Sequence, residues 1–218
     1  MNNTKDTFIS VNEIKTIYVQ DQDYSIEYLD RDSDVTILAI HSGGIEGGTG
    51  EIAKEIANQG NYNYFLFNGL LNNQTDGPAN LALHITSSKF SFEECDKLLE
   101  KTNITISVHG ADEADAFSYI GGLDTDLKNL IKMQLRSAGF VIPQEIRKGL
   151  EGVSSKNICN KNLRSKGIQL EVSQGLRKEF FGEKWKNYVE RQQRLNFPIF
   201  LNFCSCFVKS IEQFKEWL

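Results

Sequence analysis

Along this chain, apolar positions alternate with polar ones in some stretches, run together in others and recur at helical spacing in the rest. The order of those patterns predicts an α/β domain. Residues 24–29 alternate like a half-exposed strand, whereas 35–40 form an unbroken β-branched and aliphatic run of the kind shown by a strand buried on both faces. A helix is predicted over 50–58, where Ile52, Ala53, Ile56 and Ala57 recur at helical spacing behind Thr49 as a cap, and Gly60 closes it. Strands are predicted over 62–67 and 80–86. Ser91 with Glu94 three residues on reads as a capping box opening a helix that runs to about residue 100. Strands follow at 104–109 and 117–120, then a helix over 124–137 with Leu127, Leu130, Ile131 and Leu135 on one face and Gly139 beyond its end. A short strand at 140–142, a long irregular stretch at 152–166, a strand at 168–172 and two helices near 182–193 and 198–217 complete the pattern.

Strands that alternate with helices imply an open, mostly parallel mixed sheet with helices on both faces. The 218 residues suit one domain, spanning 1–218, in which residues 1–33 form an N-terminal extension carrying an edge strand. The polar start, Met1 to Asp6, lacks the basic and apolar blocks of a signal peptide, and no transmembrane segment is evident, so a cytoplasmic site of synthesis and no membrane association are expected. Cys95, Cys159, Cys204 and Cys206 lack the spacing of a zinc ribbon or a disulfide framework and read as reduced thiols.

The candidate chemistry lies in the histidines. There are three, and each stands where an apolar run ends: His41 after 37–40, His84 after 81–83 and His109 after 104–108. In open α/β sheets, ligands bind beyond the carboxyl ends of the strands. Gly43, Gly44, Gly47 and Gly48 let the chain turn tightly after His41 and bring Glu46 back toward it. His41, Glu46 and His109 then make a set of two imidazoles and a carboxylate suited to one zinc ion with an open position for water. His84 is expected to orient a ligand from behind, or to be the third ligand itself with His109 in support. Glu171, at the end of the strand at 168–172, is a candidate general base. The run Gly47-Gly48-Thr49-Gly50 lacks the GK[ST] ending and the GxGxxG spacing of nucleotide loops.

Charge sharpens the substrate class. The chain carries a formal net charge of −5, yet between Arg147 and Lys178 eight basic residues face only Glu151 and Glu171. Such a segment attracts an anion. Arg177 is a candidate clamp for a carboxylate, and Asn157, Asn160, Lys161 and Arg164 are candidates for further substrate contacts. The segment contains no aromatic residue for base stacking, so nucleic acid is not expected as a partner.

The blocks His41-Ser-Gly-Gly-Ile-Glu46, Leu83-His-Ile-Thr-Ser87, Ser107-Val-His-Gly110 and Gly167-Ile-Gln-Leu-Glu-Val-Ser-Gln-Gly-Leu-Arg177 resemble the phage-encoded poly-γ-glutamate hydrolase family. The resemblance runs from about Asp34 to the C-terminus. It implies a zinc carboxypeptidase-like fold, one Zn2+ ion on His41, Glu46 and His109, and Glu171 as general base. The implied substrate is the anionic polymer poly-γ-glutamate of a bacterial capsule; the expectation is a monomer released when the host lyses. Two alternatives remain: hydrolysis of another acidic amide, such as a peptidoglycan γ-glutamyl link or an N-acyl amino acid, and a metal-containing protein that binds anions without turnover.

Overall fold

The computed structural model describes residues 10–218; the first nine residues of the expected extension, with the polar start, lie outside the described residues. In chain order the elements are α1 (Val11–Ile17), β1 (Tyr24–Leu29), β2 (Val35–Gly43), α2 (Thr49–Gly60), β3 (Asn63–Gly69), α3 (Leu71–Gln74), α4 (Pro78–Leu81), α5 (Glu93–Leu99), β4 (Ile104–Ala111), β5 (Ser118–Gly122), α6 (Thr125–Ser137), a 3-10 turn (Ile158–Asn160), β6 (Ile168–Ser173), α7 (Gln174–Phe181), α8 (Tyr188–Gln192) and α9 (Pro198–Lys215).

One sheet runs β1-β3-β2-β4-β6-β5. The four inner strands are parallel, and β1 and β5 pair antiparallel at the two edges. Side chains alternate across a strand, so β2 and β3 each feed two apolar cores, whereas β4 and β6 feed one and turn Thr105, Ser107, His109, Gln169 and Glu171 to the other face. Ile37, Ala39, Leu66, Ile106, Val108 and Leu170 pack with residues of α2, α6, α7 and α9 on one face. Leu38, Ile40, Phe65 and Phe67 pack with α1, α5 and Ile158 on the other. All nine residues of β2 are buried, as a continuous apolar run in a central parallel strand requires. The fold is therefore the α/β class expected, with helices on both faces. Among the described residues, no helix is long and apolar enough to cross a membrane.

Local departures have physical causes. Residues 80–86 form no strand: Pro78 opens the short α4, and the Asn80 side-chain amide donates to the carbonyls of Leu71 and Thr75, folding the segment into turns. Thr49 is the first helical residue of α2 rather than its cap; Gly48, at φ +97°, occupies the cap position. No capping box forms at α5, because Ser91 Oγ donates to the Asp96 carboxylate and Phe92 stands at the cap. Residues 140–142 join the sheet through little more than the Val141 carbonyl, which accepts from Ser118 N–H at 3.2 Å. Helix α7 was not expected. Gly175 in its first turn hides the helical pattern, yet a Cβ there would lie 2.3 Å from the Ala114 carbonyl oxygen, so glycine is required by close packing. Gly182, at φ +77°, ends α7 instead of starting the helix predicted from there.

Candidate metal centre

The carboxyl ends of β2 and β4 bring His41 and His109 together. The pairing of β2 with β3 shifts register between Ala39 and Ser42, which re-aims His41 at the end of the strand. The chain then turns at Gly43, where φ is +69° and a Cβ would meet the Gly69 carbonyl at 2.5 Å. This turn returns Glu46, whose N–H donates to the His41 carbonyl at 2.9 Å. His84 arrives on the turn after α4 rather than from a strand end.

The donor atoms converge. His41 Nδ1 lies 3.1 Å from Glu46 Oε1, and His84 Nε2 lies 3.6 Å from the same oxygen. His41, Glu46 and His84 offer donor atoms that all lie within 4.8 Å of one another, a group able to hold a metal ion. His109 adds its Nδ1 at 3.1 Å from His41 Nδ1 and 3.8 Å from Glu46 Oε2. The His41 ring stacks on His84 at 3.9 Å between centroids and meets His109 edge-on at 71°.

Hydrogen bonds behind the rings hold them in place. His41 Nε2 lies 2.8 Å from the Ile85 carbonyl, which only accepts, so Nε2 carries a proton and Nδ1 is the nitrogen turned toward the cluster. His109 Nε2 contacts Ser107 Oγ at 2.8 Å and Ser87 Oγ at 3.4 Å. Burial and the neighbouring His41 push the His109 imidazolium down to about 3, so this ring is neutral near pH 7. Burial alone would raise the Glu46 carboxyl, but the charge and hydrogen bonding of His41, with support from His84 and His109, hold it well below the usual carboxylate range. Its Oε2 also accepts from Gly110 N–H at 2.8 Å. Imidazole nitrogens and an ionised carboxylate crowded together fit a divalent cation, which takes such groups as ligands.

Glu171 stands opposite His109 in the β4–β6 register and is 3 % exposed. Burial, and then the negative charge of Glu46, raise its carboxyl well above the ordinary range, opposed by the hydrogen bond from Gln169 Nε2 to Oε1 at 2.7 Å. Gln169 was not anticipated, although its place two residues before Glu171 puts it on the same face of the strand.

The expected anion contacts mostly face inward. Asn157 is buried, its amide donating to Gln169 Oε1 and its oxygen accepting from Cys159 N–H. Asn160 donates to the carbonyls of Gly152 and Ser154 and accepts from Gly167 N–H. Lys161 Nζ donates to the Phe90 carbonyl at 3.1 Å, and Arg164 pairs with the buried Asp124 at 2.8 Å. Arg177 is 2 % exposed and bonds backbone carbonyls beside the cluster. Two further groups support the site without any signal in the sequence. Asp76 accepts from Gly47 N–H at 3.3 Å, and the fully buried Arg191 pairs with Glu51 at 2.6 Å and donates to the Gly43 carbonyl at 3.0 Å.

Comparison with known proteins agrees with this geometry. Residues 8–205 match the family model described as poly-gamma-glutamate hydrolase. The SPbeta prophage-derived protein YoqZ of Bacillus subtilis (strain 168) is 39% identical over 161 residues, which cover 72% of this chain and 56% of YoqZ. YndL of the same organism is 37% identical over 161 residues, 73% of this chain and 61% of YndL. The chain thus aligns with less than two thirds of the length of either relative. Among solved structures, a bacteriophage poly-gamma-glutamate hydrolase superposes with a TM-score of 0.87 at 25% identity, over 98% of this chain and 100% of that one. A zinc-free apo form of YndL superposes with a TM-score of 0.83 at 32% identity, again over 98% and 100%. The chain belongs to the poly-gamma-glutamate hydrolase family.

Proposed function

We propose that this protein is a zinc-dependent hydrolase of the γ-glutamyl amide bonds of poly-γ-glutamate, shortening a capsule polymer. The observation that carries the reading is the convergence of His41, Glu46 and His109 beside a buried Glu171, in a chain of this family.

His41 Nδ1, His109 Nδ1 and Glu46 are proposed to hold the single zinc ion. Two nitrogens on one tetrahedral zinc, each at ~2.0–2.1 Å, stand roughly 3.3 Å apart, close to the 3.1 Å between the two Nδ1 atoms. Imidazole lone pairs lie in the ring plane, and the planes of His41 and His109 cross at 71°. The His84 ring stacks on His41, and its Nε2 lies 3.6 Å from Glu46 Oε1; we assign His84 to support Glu46. Zinc bound here would lower the pKa of a coordinated water and polarise the scissile carbonyl.

The protein's own groups handle the protons and the substrate. Glu171, with its raised proton affinity, suits a base that takes a proton near neutral pH and passes it to the leaving amine. Gln169 holds one of its oxygens in place. On the rim, Arg147 is exposed, pairs with Glu113 at 2.9 Å and lowers the proton affinity of Glu171 by its charge; we propose that it exchanges Glu113 for a polymer carboxylate.

The test is the size distribution of poly-γ-glutamate after incubation with purified protein, with chelator and with zinc restored. Shortening that chelator abolishes and zinc restores is expected. An intact polymer in the presence of zinc-loaded protein would overturn the substrate, and cleavage of short γ-glutamyl amides alone would favour an amidohydrolase of smaller acidic amides.

A further inference from the structure

Arg177 carries the fork expected of a substrate clamp, but its partners are internal. Nη1 donates to the Gly47 carbonyl at 2.9 Å and Nη2 to the Ala111 carbonyl at 3.0 Å. Gly47 follows Glu46 in the chain, and Ala111 ends β4 two residues beyond His109. Asp76 completes the arrangement, because its Oδ2 accepts from Gly47 N–H and lies 3.7 Å from Arg177 Nη1. Both backbone polar groups of Gly47 are thereby held. From the other side, Gly110 N–H donates to Glu46 Oε2 at 2.8 Å. The guanidinium rests over the Trp185 ring, 4.5 Å from its centroid. It also fills the space left by the missing side chain of Gly110, where a Cβ would lie 2.8 to 3.0 Å from its atoms.

We infer that Arg177 is a positioning residue that ties the loop carrying Glu46 to the end of the strand carrying His109, and so sets the spacing of the metal-binding groups. The inference rests on the proposed metal centre. A planar fork reaches two carbonyls on separate segments at once, which the single ammonium of lysine does not do in the same geometry. Gly110 is part of the same device, since it makes room for the fork and also holds Glu46 through its N–H.

The experiment uses the full chain and measures zinc affinity by competition with a chromophoric chelator for the parent, Arg177→Met, Arg177→Lys and Gly110→Ala. The melting temperature of each metal-free protein and KM for the polymer at saturating zinc are measured alongside. Arg177→Met is expected to weaken zinc binding by about 10- to 100-fold, the usual cost of removing a group that orients a ligand, with KM at saturating zinc unchanged. Arg177→Lys should recover little of the loss. Gly110→Ala, which crowds the guanidinium without removing it, should weaken zinc binding in the same direction and serves where Arg177→Met does not fold. Parental zinc affinity with a raised KM would make Arg177 a substrate contact and overturn the inference. Parental zinc affinity with only a lowered melting temperature would overturn it in favour of a purely structural role. A parent that binds no zinc would overturn the metal centre itself and this inference with it.

Discussion

Two buried polar regions lie next to one another on the same face of the sheet, and they differ in how their hydrogen-bonding groups are used. In the segment at 157–167, donors meet acceptors: Asn162, for example, donates to Thr105 Oγ1 and the Lys166 carbonyl and accepts from the N–H groups of Arg164 and Lys166. In the histidine cluster, groups that bind metals meet one another. The Nδ1 atoms of His41 and His109 face each other at 3.1 Å with a carboxylate beside them. A satisfied network rigidifies a fold, whereas imidazoles and a carboxylate converging on one point suit a cation. Residue type alone would have put both regions in the site. The distinction between them is whether the side chains are held by backbone groups or turn their metal-binding atoms toward one another.

The sharpest way to break this contrast is Glu171→Gln, which keeps the shape of the side chain and the neighbouring Gln169 but removes the proposed base. Turnover on the polymer should fall on the order of 10²- to 10⁴-fold while zinc stays bound, as metal analysis of the purified variant would show. Hydrolysis at the parental rate would remove Glu171 from the mechanism. The same variant has a second readout in the metal-free protein. The folded Glu171 carboxyl is raised, so the native state binds its proton more tightly than the unfolded chain does. Its contribution to stability is therefore fully present below the unfolded carboxylate range and is lost as pH rises through the folded value. Denaturant melts should show Glu171→Gln more stable than the parent at neutral pH, with the difference closing as pH is lowered toward 4.

Within the cluster itself, His109→Ala and His84→Ala separate ligand from support. Loss of His109 should weaken zinc binding by well over about 100-fold, and loss of His84 by about 10- to 100-fold, both read by chelator competition. The reverse order would exchange the two assignments and show that the stacked pair, not the crossed pair, holds the ion.

Much of this was legible beforehand, for reasons that differ from element to element. The inner strands showed as aliphatic runs because parallel strands are buried on both faces, and α6 showed through Leu127, Leu130, Ile131 and Leu135. The ends of the runs before His41 and His109 coincided with the carboxyl ends of β2 and β4. His84 was found through its neighbours' apolar character, although those neighbours, Leu83 and Ile85, are buried in turns and not in a strand. Arg191 and Asp76 stayed hidden because their partners, Glu51 and Gly47, lie 140 and 29 positions away in the chain. The inward role of Asn157 and Asn160 was equally hidden. Sequence states how many donors and acceptors a side chain has, and only the fold states whether backbone groups have already taken them.

The smallest effects are expected in the satisfied region, and they sharpen the contrast from the other side. Asn160→Ala strands the Gly152 and Ser154 carbonyls and the Gly167 N–H, so it should destabilise the protein by on the order of 1–3 kcal/mol in denaturant melts. Lys161 is exposed and makes one bond to the Phe90 carbonyl, and Lys161→Met should cost about 1 kcal/mol or less. In neither variant should KM for poly-γ-glutamate at saturating zinc change, because neither side chain is free to meet a carboxylate while its present partners hold it. A rise in KM for Lys161→Met, with stability unchanged, would mean that Lys161 leaves Phe90 when the polymer arrives. That result would move this one residue out of the structural network and back to the substrate rim, while the loss of stability in Asn160→Ala would keep the rest of the segment where the hydrogen bonds put it.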